Sequence, residues 1–368
     1  MTALSIAHTE ASMGWGGQEI RILTEARGFL ERGHRVALYA APGSRIAEEA
    51  PGYGVRCTVL PIGRRRPAGV LALARAFREA RHDVVNTHSS IDSWLAALAC
   101  RLVRDPPAIV RTRHVSVPVP GDPATRWLYR KATARVVTTG EALRAQLVRA
   151  NGLDPARVDS IPTGIDASRF GTVSRDEARR ALGLPPSARI VGIVATLRSW
   201  KGHRHLVDAF ARLRDPDALL AIVGDGPQRE ALERQVAALA LGARVRFAGQ
   251  QRDVAPWLAA LDVFALPSTA NEGVPQALLQ AMFAGIPCVT TSAGAIPEIA
   301  RDGDTALVVP AGDAAALAAA IARLFADPAL GARLAAAARA YVAPRYGLAT
   351  MLDRMEAAFR RAIADARA

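Results

Sequence analysis

The sequence predicts two α/β domains in succession, each a parallel β-sheet covered by helices. The chain has 368 residues, which makes two domains at about 150 residues each. Short apolar runs alternate with helical patterns almost from end to end, as is typical of parallel sheets covered by helices. The alternation restarts near residue 189, after a stretch punctuated by glycine and proline. We therefore expect two doubly wound, Rossmann-like sheets.

Five strands and four helices are predicted in the first domain. Short apolar runs indicate the strands, and apolar residues that recur with a helical period indicate the helices. The predicted strands are residues 4–9, 35–39, 84–87, 108–112 and 135–138, and the predicted helices are residues 18–33, 69–81, 91–104 and 141–150. Gly33 is expected to end the first helix in the left-handed conformation.

The second domain repeats the pattern with six strands and four helices. Its predicted strands are residues 189–195, 218–223, 245–247, 263–266, 287–290 and 306–309, and its predicted helices are residues 204–213, 228–239, 275–284 and 314–325. We assign residues 1–170 to the first domain and 171–347 to the second. Residues 348–368 form an amphipathic segment that we expect to pack as a helix on the first domain; its apolar residues recur every four positions, at Met351, Met355, Phe359 and Ile363.

Composition excludes several classes of protein. Half of the residues are apolar and 22% are charged, as in a globular protein. No apolar stretch reaches the roughly 18 residues that would span a bilayer, and we identify no signal peptide. Three distant cysteines, Cys57, Cys100 and Cys288, argue against a disulfide framework or a zinc site. We expect a cytoplasmic protein.

Positive charge is concentrated in one segment. The net charge is +13, and residues 51–150 hold 17 basic against 6 acidic side chains, a difference of +11. The basic residues cluster at Arg64, Arg65 and Arg66 and again at Arg126, Arg130, Lys131 and Arg135. Such a surface indicates a polyanionic partner, such as an anionic lipid surface, a phosphorylated substrate or nucleic acid. An arginine-rich solvated face is the alternative, and both stay open.

Candidate ligand-binding residues follow the predicted strands, because open α/β sheets bind ligands at the carboxyl ends of their strands. After the first strand come Gly16, Gly17 and Gln18, where a tight turn runs into a helix start. Glycines allow a ligand to approach the backbone, and a helix N-terminus attracts anions. A plain turn is the alternative, because the spacing matches neither G-x-G-x-x-G nor a P-loop.

Two cations follow the first strand of the second domain. Arg198 and Lys201 lie three positions apart, and Lys201 is one of only two lysines in the chain. An arginine fork and a lysine ammonium can together neutralise a diphosphate. The alternative is a pair of solvated loop charges.

The segment from Asn271 to Gln280 is the most informative. Glu272 precedes a predicted helix that includes Pro275, and Gln280 lies eight positions further on, a little over two helical turns. A carboxylate and an amide on nearly the same helix face could both reach sugar hydroxyls. A helix-capping Glu and an ordinary helix Gln are the alternative.

Two histidines stand at strand ends in the first domain. His88 and His114 each follow a predicted strand, and their imidazoles could bind a hydroxyl or a phosphate.

Two Asp-x-Asp triplets, at residues 215–217 and 302–304, could hold a divalent cation, but their Pro and Gly indicate turns. We predict no metal site.

Taken together, these motifs resemble the GT-B glycosyltransferases of family 4, which are retaining enzymes that use nucleotide sugars. The resemblance extends over the whole chain. It rests on Gly16-Gly17-Gln18-Glu19 with Arg32-Gly33-His34-Arg35-Val36, on Ile161-Pro162-Thr163-Gly164-Ile165-Asp166 with Arg169-Phe170, on Lys201-Gly202, and on Glu272-Gly273-Val274-Pro275 running on to Pro287. Gly224-Asp225-Gly226-Pro227 and Ala295-Ile296-Pro297-Glu298 are typical in the same order.

The resemblance implies a role for each matching position. Three roles are catalytic, at His114 near the transferring sugar, Lys201 on the diphosphate and Glu272 on the donor hexose. The implied donor-binding residues are Gly16, Gly17, Arg198, Lys201, Glu272, Gly273, Val274, Pro275 and Gln280. Gln18 and His88 are assigned to the acceptor side. Two positions depart from the family pattern, because Gln280 replaces the usual Glu and Thr196 stands where Arg is common.

The implied function is transfer of a sugar from a nucleotide-diphosphate sugar, a UDP-sugar in particular, to a glycan or lipid-linked acceptor. No cofactor and no metal are expected, and the basic first half is expected to dock on an anionic membrane surface. A non-catalytic sugar-nucleotide binder and a sugar-nucleotide epimerase stay open as alternatives. We predict no nucleic-acid partner, because no aromatic platform interleaves with the arginines.

Overall fold

The computed structural model describes residues 2–114 and 117–367, and the chain divides into two compact units. Unit 1 consists of Met1–Gly164 and Ala349–Ala368, and unit 2 of Ile165–Leu348. The predicted boundary after residue 170 is therefore too late. Ile165 and Phe170 are buried in the core of unit 2, and the Ile165 backbone N–H donates to the carbonyl oxygen of Tyr346 at 2.8 Å. These contacts place residues 165–170 with the second unit.

Unit 1 contains a seven-stranded parallel sheet. Its strands are β1 Ser5–Glu10, β2 Arg35–Ala40, β3 Cys57–Val59, β4 Val84–Thr87, β5 Ala108–Arg113, β6 Arg135–Thr138 and β7 Val158–Ser160. Their order is β3-β2-β1-β4-β5-β6-β7, and every neighbouring pair is parallel. The two edge strands β3 and β7, of three residues each, are missing from the sequence prediction because such short runs carry little periodicity.

The helices of unit 1 alternate with its strands. They are α1 Gly17–Glu31, α2 Arg45–Glu49, α3 Pro67–Ala80, α4 Ser90–Cys100, α5 Pro123–Trp127, which runs into a π-helical turn Leu128–Ala132, and α6 Glu141–Asn151. Gly33 follows α1 with φ +81°, as predicted, although the helix already ends at Glu31. The short helices α2 and α5, of five residues each, were not predicted.

Unit 2 contains a six-stranded parallel sheet with the same winding. Its strands are β8 Arg189–Val194, β9 Ala218–Val223, β10 Val245–Gly249, β11 Val263–Leu266, β12 Cys288–Thr290 and β13 Leu307–Val308. Their order is β10-β9-β8-β11-β12-β13, again with parallel pairing throughout. The predicted fold class, two Rossmann-like doubly wound sheets, is confirmed.

The remaining helices belong to unit 2, except for the last. They are α7 Arg175–Leu182, α8 His203–Arg212, α9 Arg229–Ala238, α10 Ala255–Ala259, α11 Gln276–Phe283, α12 Ala314–Ala326, α13 Pro328–Val342 and α14 Leu348–Arg367. Helix α11 begins one residue later than predicted, because Pro275 has an extended backbone and is the N-cap residue that precedes the helix.

Helix α14 completes the core of unit 1. Its buried face consists of Met351, Leu352, Met355, Glu356, Ala358, Phe359 and Ala362. The rings of Phe359 and Phe29 on α1 lie 5.6 Å apart, centre to centre. Gly28 on α1 leaves the space that Leu352 fills, because a Cβ there would lie 2.5 Å from a Leu352 methyl group. The amphipathic pattern of residues 348–368 corresponds to this packed face, although Ile363 is only half-buried.

A membrane-spanning helix is not evident in the part of the chain that the structure describes. No single helix there is long and apolar enough to cross a bilayer. Helices α12 and α13 reach the required length and composition only as a pair, and a bend of 103° separates them.

Candidate functional site

The candidate site of unit 2 lies where its strand order reverses. Strands β8 and β11 are neighbours, with β9 and β10 on one side and β12 and β13 on the other. Doubly wound sheets bind ligands outside the carboxyl ends of their strands at this point. The segment after β8 carries Lys201, and the segment after β11 carries Glu272. The topology therefore brings together two predicted site residues that are 71 positions apart.

Gly202 allows these two segments to approach closely. Its φ of +77° lies in the left-handed region, and a Cβ at this position would be 1.9 Å from the carbonyl oxygen of Pro267. The Thr269 backbone N–H donates to the carbonyl oxygen of Trp200 at 2.8 Å. Because only glycine fits both this backbone conformation and this contact, Gly202 sets the distance between the two segments.

Lys201 and Glu272 form a closely held ion pair. The Lys201 Nζ donates to Glu272 Oε1 at 2.7 Å and to Oε2 at 2.9 Å, and the Ser268 hydroxyl donates to Oε1 at 2.6 Å. The Glu272 side chain is only 5% exposed, whereas that of Lys201 is 21% exposed. A lysine ammonium has three N–H donors, so the paired Lys201 still reaches solvent with donor capacity for a phosphate oxygen. From the sequence, Lys201 was expected on the diphosphate and Glu272 on the donor hexose, and a contact between the two residues was not predicted.

Gly294 supports the backbone of Glu272. It has φ +58°, and a Cβ there would lie 2.1 Å from the Glu272 carbonyl oxygen. The next residue, Ala295, donates its backbone N–H to that same oxygen at 3.1 Å. Gly294 and Ser268 were not predicted from the sequence. For Gly294 a signal existed, because it directly precedes the typical Ala295–Glu298 segment.

The other predicted site residues of unit 2 lie close to Lys201 or Glu272 in the sequence. Three of them, Gly273, Val274 and Pro275, are buried between Glu272 and the start of α11, and Gln280 on α11 is half-buried. Arg198 is exposed, and its guanidinium carbon lies 5.8 Å from the centre of the Trp200 ring. Arg198 therefore offers its guanidinium to solvent, while Lys201 is held by Glu272.

Unit 1 has its own reversal of strand order, between β1 and β4. Three histidines meet there. His8 lies on β1, His88 directly follows β4, and His114 directly follows β5. One hydrogen bond joins His8 Nδ1 and His88 Nε2 at 3.1 Å, and a second joins His88 Nδ1 and His114 Nε2 at 3.0 Å. His8 was not predicted as a site residue, because it lies inside a buried strand and not at a strand end.

Burial governs the charge of these imidazoles. It lowers the pKa of His8 to about 3, with a further contribution from the Arg21 guanidinium. Burial likewise holds the pKa of His88 and of His114 well below the usual range, and the neighbouring cations act in the same direction. All three rings are therefore neutral at pH 7.

The predicted contact of His88 with an acceptor does not fit this geometry. Both of its ring nitrogens are engaged, one by His8 and one by His114, and the residue is only 5% exposed. Its backbone N–H donates to the Asp92 carboxylate at 2.9 Å. Both hydrogen-bonding positions of the His88 ring are therefore occupied by the neighbouring histidines.

The glycine loop after β1 is held by a buried carboxyl group. Glu10 accepts hydrogen bonds from the Ser12 backbone N–H at 2.7 Å and from the Gln18 side-chain amide. Burial and the neighbouring Asp92 carboxylate raise the pKa of Glu10 to about 8. Gly16 caps α1, which begins at Gly17, so the predicted helix start after the glycines is present. Gln18 is tied to Glu10 at this edge.

The seven residues of the two predicted basic clusters differ in exposure. Six of them are exposed, namely Arg64, Arg65, Arg66, Arg126, Arg130 and Lys131. Arg135 is buried and pairs with Asp159 at 3.0 Å and with Asp365 at 2.9 Å, so the prediction that it lies on a basic surface is wrong.

The two exposed basic segments meet through aromatic rings. The Arg65 guanidinium carbon lies 5.6 Å from the centre of the Trp94 ring, and Trp94 stacks on Trp127 at 5.9 Å. Arg65 and Trp127 are therefore brought together by Trp94, and the expectation that no aromatic platform interleaves with these arginines is wrong. We call the six exposed residues of these segments the basic face.

The two aspartate triplets are turns, as predicted. Asp215 pairs with Arg189 at 2.7 Å, and Asp304 pairs with Arg301 at 3.3 Å. Within residues 2–114 and 117–367, no group of three or more His, Cys, Asp or Glu side chains could hold a metal ion. The three cysteines are free thiols.

Comparison with known proteins identifies relatives over most of the chain. A family model described as Glycosyltransferase Family 4 matches residues 15–169, and one described as Glycosyl transferases group 1 matches residues 188–327. The 2-deoxystreptamine N-acetyl-D-glucosaminyltransferase of Streptomyces fradiae is 32% identical over 93% of this chain and 90% of its own. The lipopolysaccharide core biosynthesis glycosyltransferase LpsE of Rhizobium meliloti is 34% identical over 58% of this chain and 61% of its own.

Solved structures agree on the fold. Anabaena HepE in complex with UDP-glucose matches with a TM-score of 0.85 and 23% identity, over 96% of this chain and 98% of its own. At this identity the likeness concerns the fold alone. The family models, the Streptomyces relative and the two parallel sheets lead to one conclusion: the chain belongs to the group 1, family 4 glycosyltransferases and has their GT-B fold.

Proposed function

We propose that this glycosyltransferase moves a sugar from a UDP-sugar to a glycan or lipid-linked acceptor with retention of configuration, in the synthesis of a cell-envelope polysaccharide. The observation that carries the proposal is the Lys201–Glu272 pair at the strand reversal of unit 2. An ammonium for a diphosphate and a carboxylate for sugar hydroxyls are held there within hydrogen-bonding distance of each other.

Different residues of unit 2 would bind different parts of the donor. Lys201 and the exposed Arg198 would bind the diphosphate, Glu272 the hexose and Gln280 the ribose. The backbone of Gly273, Val274 and Pro275 would line the same ligand. Ser268 and Lys201 already hold the Glu272 carboxylate in place, so little side-chain freedom would be lost on binding.

Retention follows if the acceptor hydroxyl attacks on the face from which the diphosphate departs. Negative charge then grows on the leaving diphosphate, and the preorganised cations Lys201 and Arg198 would stabilise it. Since these side chains supply the positive charge, we propose that no metal ion is needed. Transfer should therefore proceed at an undiminished rate in the presence of a chelator such as EDTA.

The first experiment identifies the donor. UDP-, GDP- and ADP-sugars are tested for their effect on the melting temperature of the purified protein. Stabilisation by UDP-sugars, lost in Lys201→Ala but kept in the exposed-residue control Arg204→Ala, supports the assignment. Equal stabilisation of Lys201→Ala would contradict it.

The second experiment separates transfer from the alternatives. A transferase releases UDP from the donor only when an acceptor is present. An epimerase would convert the sugar without an acceptor, and a non-catalytic binder would be stabilised by the donor without turnover. Acceptors are drawn from lipid-linked and lipopolysaccharide-type glycans and, because of the Streptomyces relative, from aminocyclitols such as 2-deoxystreptamine.

We also propose that the basic face docks unit 1 on an anionic membrane surface. Each basic residue near such a surface contributes about 1 kcal/mol of attraction, which salt screens. The protein should co-sediment with phosphatidylglycerol vesicles at low salt. Arg64→Glu with Arg66→Glu should abolish co-sedimentation, whereas the same charge change at the exposed Arg204 and Arg246 of unit 2 should not. Binding that survives the first double substitution would contradict the proposal.

A further inference from the structure

The chain of three imidazoles in unit 1 restricts where their protons can lie. A neutral imidazole carries one proton, so one ring nitrogen donates and the other accepts. Both nitrogens of His88 are engaged, so it donates in one hydrogen bond and accepts in the other. Only two arrangements satisfy both bonds, with every donor pointing from His8 towards His114 or every donor pointing the opposite way.

The far end of the chain distinguishes these two arrangements. His8 is fully buried, and its Nε2 has no hydrogen-bond partner among the described residues. If the donors pointed towards His8, this nitrogen would carry an N–H group buried without an acceptor, which is rare in folded proteins and costly. That proton would also lie in the field of the buried Arg21 guanidinium. If the donors point towards His114, the Nε2 of His8 carries a lone pair and no proton.

We propose that His8 and His88 are positioning residues that hold His114 in the tautomer with its proton on Nδ1. His8 Nδ1 donates to His88 Nε2, and His88 Nδ1 donates to His114 Nε2. His114 Nε2 is thereby occupied as an acceptor, and Nδ1 presents an N–H group. In the proposed transfer, His114 then acts as a hydrogen-bond donor to a substrate oxygen and not as a general base.

The backbone around the chain keeps the rings in register. Asp92 accepts hydrogen bonds from the His88 backbone N–H at 2.9 Å and from the Thr9 hydroxyl at 2.7 Å, which ties His88 to β1. The rings of His8 and His88 stack with an interplanar angle of 19°. The tautomer is a property of the protein alone, whereas the catalytic consequence rests on the proposed function.

The proton positions are measured directly by nitrogen NMR of protein labelled with ¹⁵N-histidine. A protonated and a bare ring nitrogen have different chemical shifts, so each tautomer has its own signature. The seven histidine rings are assigned from spectra of single-substitution variants. We expect His114 and His88 to show Nδ1 protonated and Nε2 bare in the ligand-free protein. A protonated Nε2 on His114 would overturn the proposal, whatever the enzyme transfers.

Substitutions of His8 test the direction of the chain. In His8→Asn the side-chain amide can still donate to His88, so the His114 signature should persist. In His8→Asp the carboxylate can only accept, so both His88 and His114 should change to the tautomer with Nε2 protonated. If His8→Asp does not fold, the wild-type and His8→Asn spectra still decide the matter.

The consequence for transfer is read from the same variants. With the tautomer of His114 reversed, His8→Asp should lose about 10- to 100-fold in kcat, the equivalent of one hydrogen bond to a developing charge. Its donor affinity should stay unchanged, since Lys201 and Glu272 lie in unit 2. The kcat of His8→Asn should stay within about threefold of the wild-type kcat. Unchanged kcat in His8→Asp, with the tautomer reversed, would overturn the positioning role. Absence of transfer in wild type would instead refute the proposed function and leave the NMR result standing.

Discussion

Lys201 and Glu272 depend on each other at the level of single residues. Glu272 is almost completely buried, and its charge is balanced by the ammonium of Lys201. A buried carboxylate that loses its partner keeps its desolvation cost without the compensating attraction. Substitution of either residue therefore affects stability as well as any ligand contact, and the two effects need separate measurements.

Replacement of Lys201 by Ala should reduce kcat/KM by about 100- to 1,000-fold, the usual effect of removing one preorganised group that stabilises a leaving charge. It should also lower the melting temperature, because Glu272 then keeps only Ser268 as a side-chain partner among the described residues. Arg204→Ala on the exposed face of α8 is the control. If Lys201→Ala,Glu272→Gln recovers the melting temperature, the loss of stability in Lys201→Ala comes from the unpaired Glu272 carboxylate. Near-normal turnover of Lys201→Ala would refute the catalytic role.

Glu10 makes stability dependent on pH. Its pKa rises from 4.5 to about 8 on folding, so the folded state favours the protonated carboxyl group. This contribution to stability is complete below pH 4.5 and is lost as the pH rises through 8. Glu10→Gln, which resembles the neutral form, should melt at a higher temperature than wild type at pH 9, and the difference should shrink at pH 5. The Asp92 and Glu19 carboxylates also raise the pKa of Glu10. If the difference in melting temperature between Glu10→Gln and wild type did not change with pH, the titration of Glu10 would not be its source.

At the level of elements, close backbone contacts hold the segments of the unit 2 site together. Gly202 lies against Pro267, and Gly294 lies against Glu272. In both places the glycine has a positive φ and a partner that is backbone, which cannot rotate away as a side chain can. The positions of the segments after β8 and β11 are therefore set by main-chain contacts as well as by the ion pair.

Gly294→Ala should displace the Glu272 segment and abolish stabilisation by a UDP-sugar. Gly285→Ala is a matched control, because Gly285 has φ +73° but nothing within 4 Å of an added Cβ. Both variants incur about 1 kcal/mol from the left-handed backbone, and only Gly294→Ala adds the clash. The melting temperature with and without donor is the measurement. Equal behaviour of the two variants would show that the contact with Glu272 is unimportant.

At the level of the whole molecule, unit 1 is assembled from two distant parts of the chain. Residues 1–164 supply its sheet, and residues 349–368 supply a helix whose apolar face is buried in its core. Unit 2 is continuous in sequence. The core of unit 1 is therefore complete only when the last helix of the chain is in place.

Phe359→Ala should destabilise unit 1 by about 3–5 kcal/mol, the usual cost of removing a buried aromatic ring. The residue is fully buried against Phe29, whereas Leu71, which is 60% exposed, supplies the control Leu71→Ala. Hydrogen exchange should show faster opening in unit 1 with little change in unit 2. Uniformly faster exchange across both units would mean that they unfold as one.

Much of the fold was predictable because its strands and helices carry clear periodic patterns. Every long strand was found, whereas the 15-residue helix α13 and the eight-residue helix α7 were not among the predicted helices. Three-residue edge strands such as β3 and five-residue helices such as α2 were missed as well. Such short elements are defined by their neighbours in the sheet, which no local pattern records. The boundary at Gly164 was missed for a related reason, because Ile165 belongs to unit 2 through its hydrogen bond to Tyr346.

The sequence by itself determined the two doubly wound sheets, the family, and the positions of Lys201 and Glu272 after their strands, since local periodicity and motif spacing are properties of the chain alone. Only the tertiary structure decided that Lys201 pairs with Glu272, that Arg135 is buried by two aspartates, and that His8 joins His88. Each of these contacts joins residues far apart in the chain. Their distance depends on strand order and backbone approach, which the linear pattern of residues does not encode.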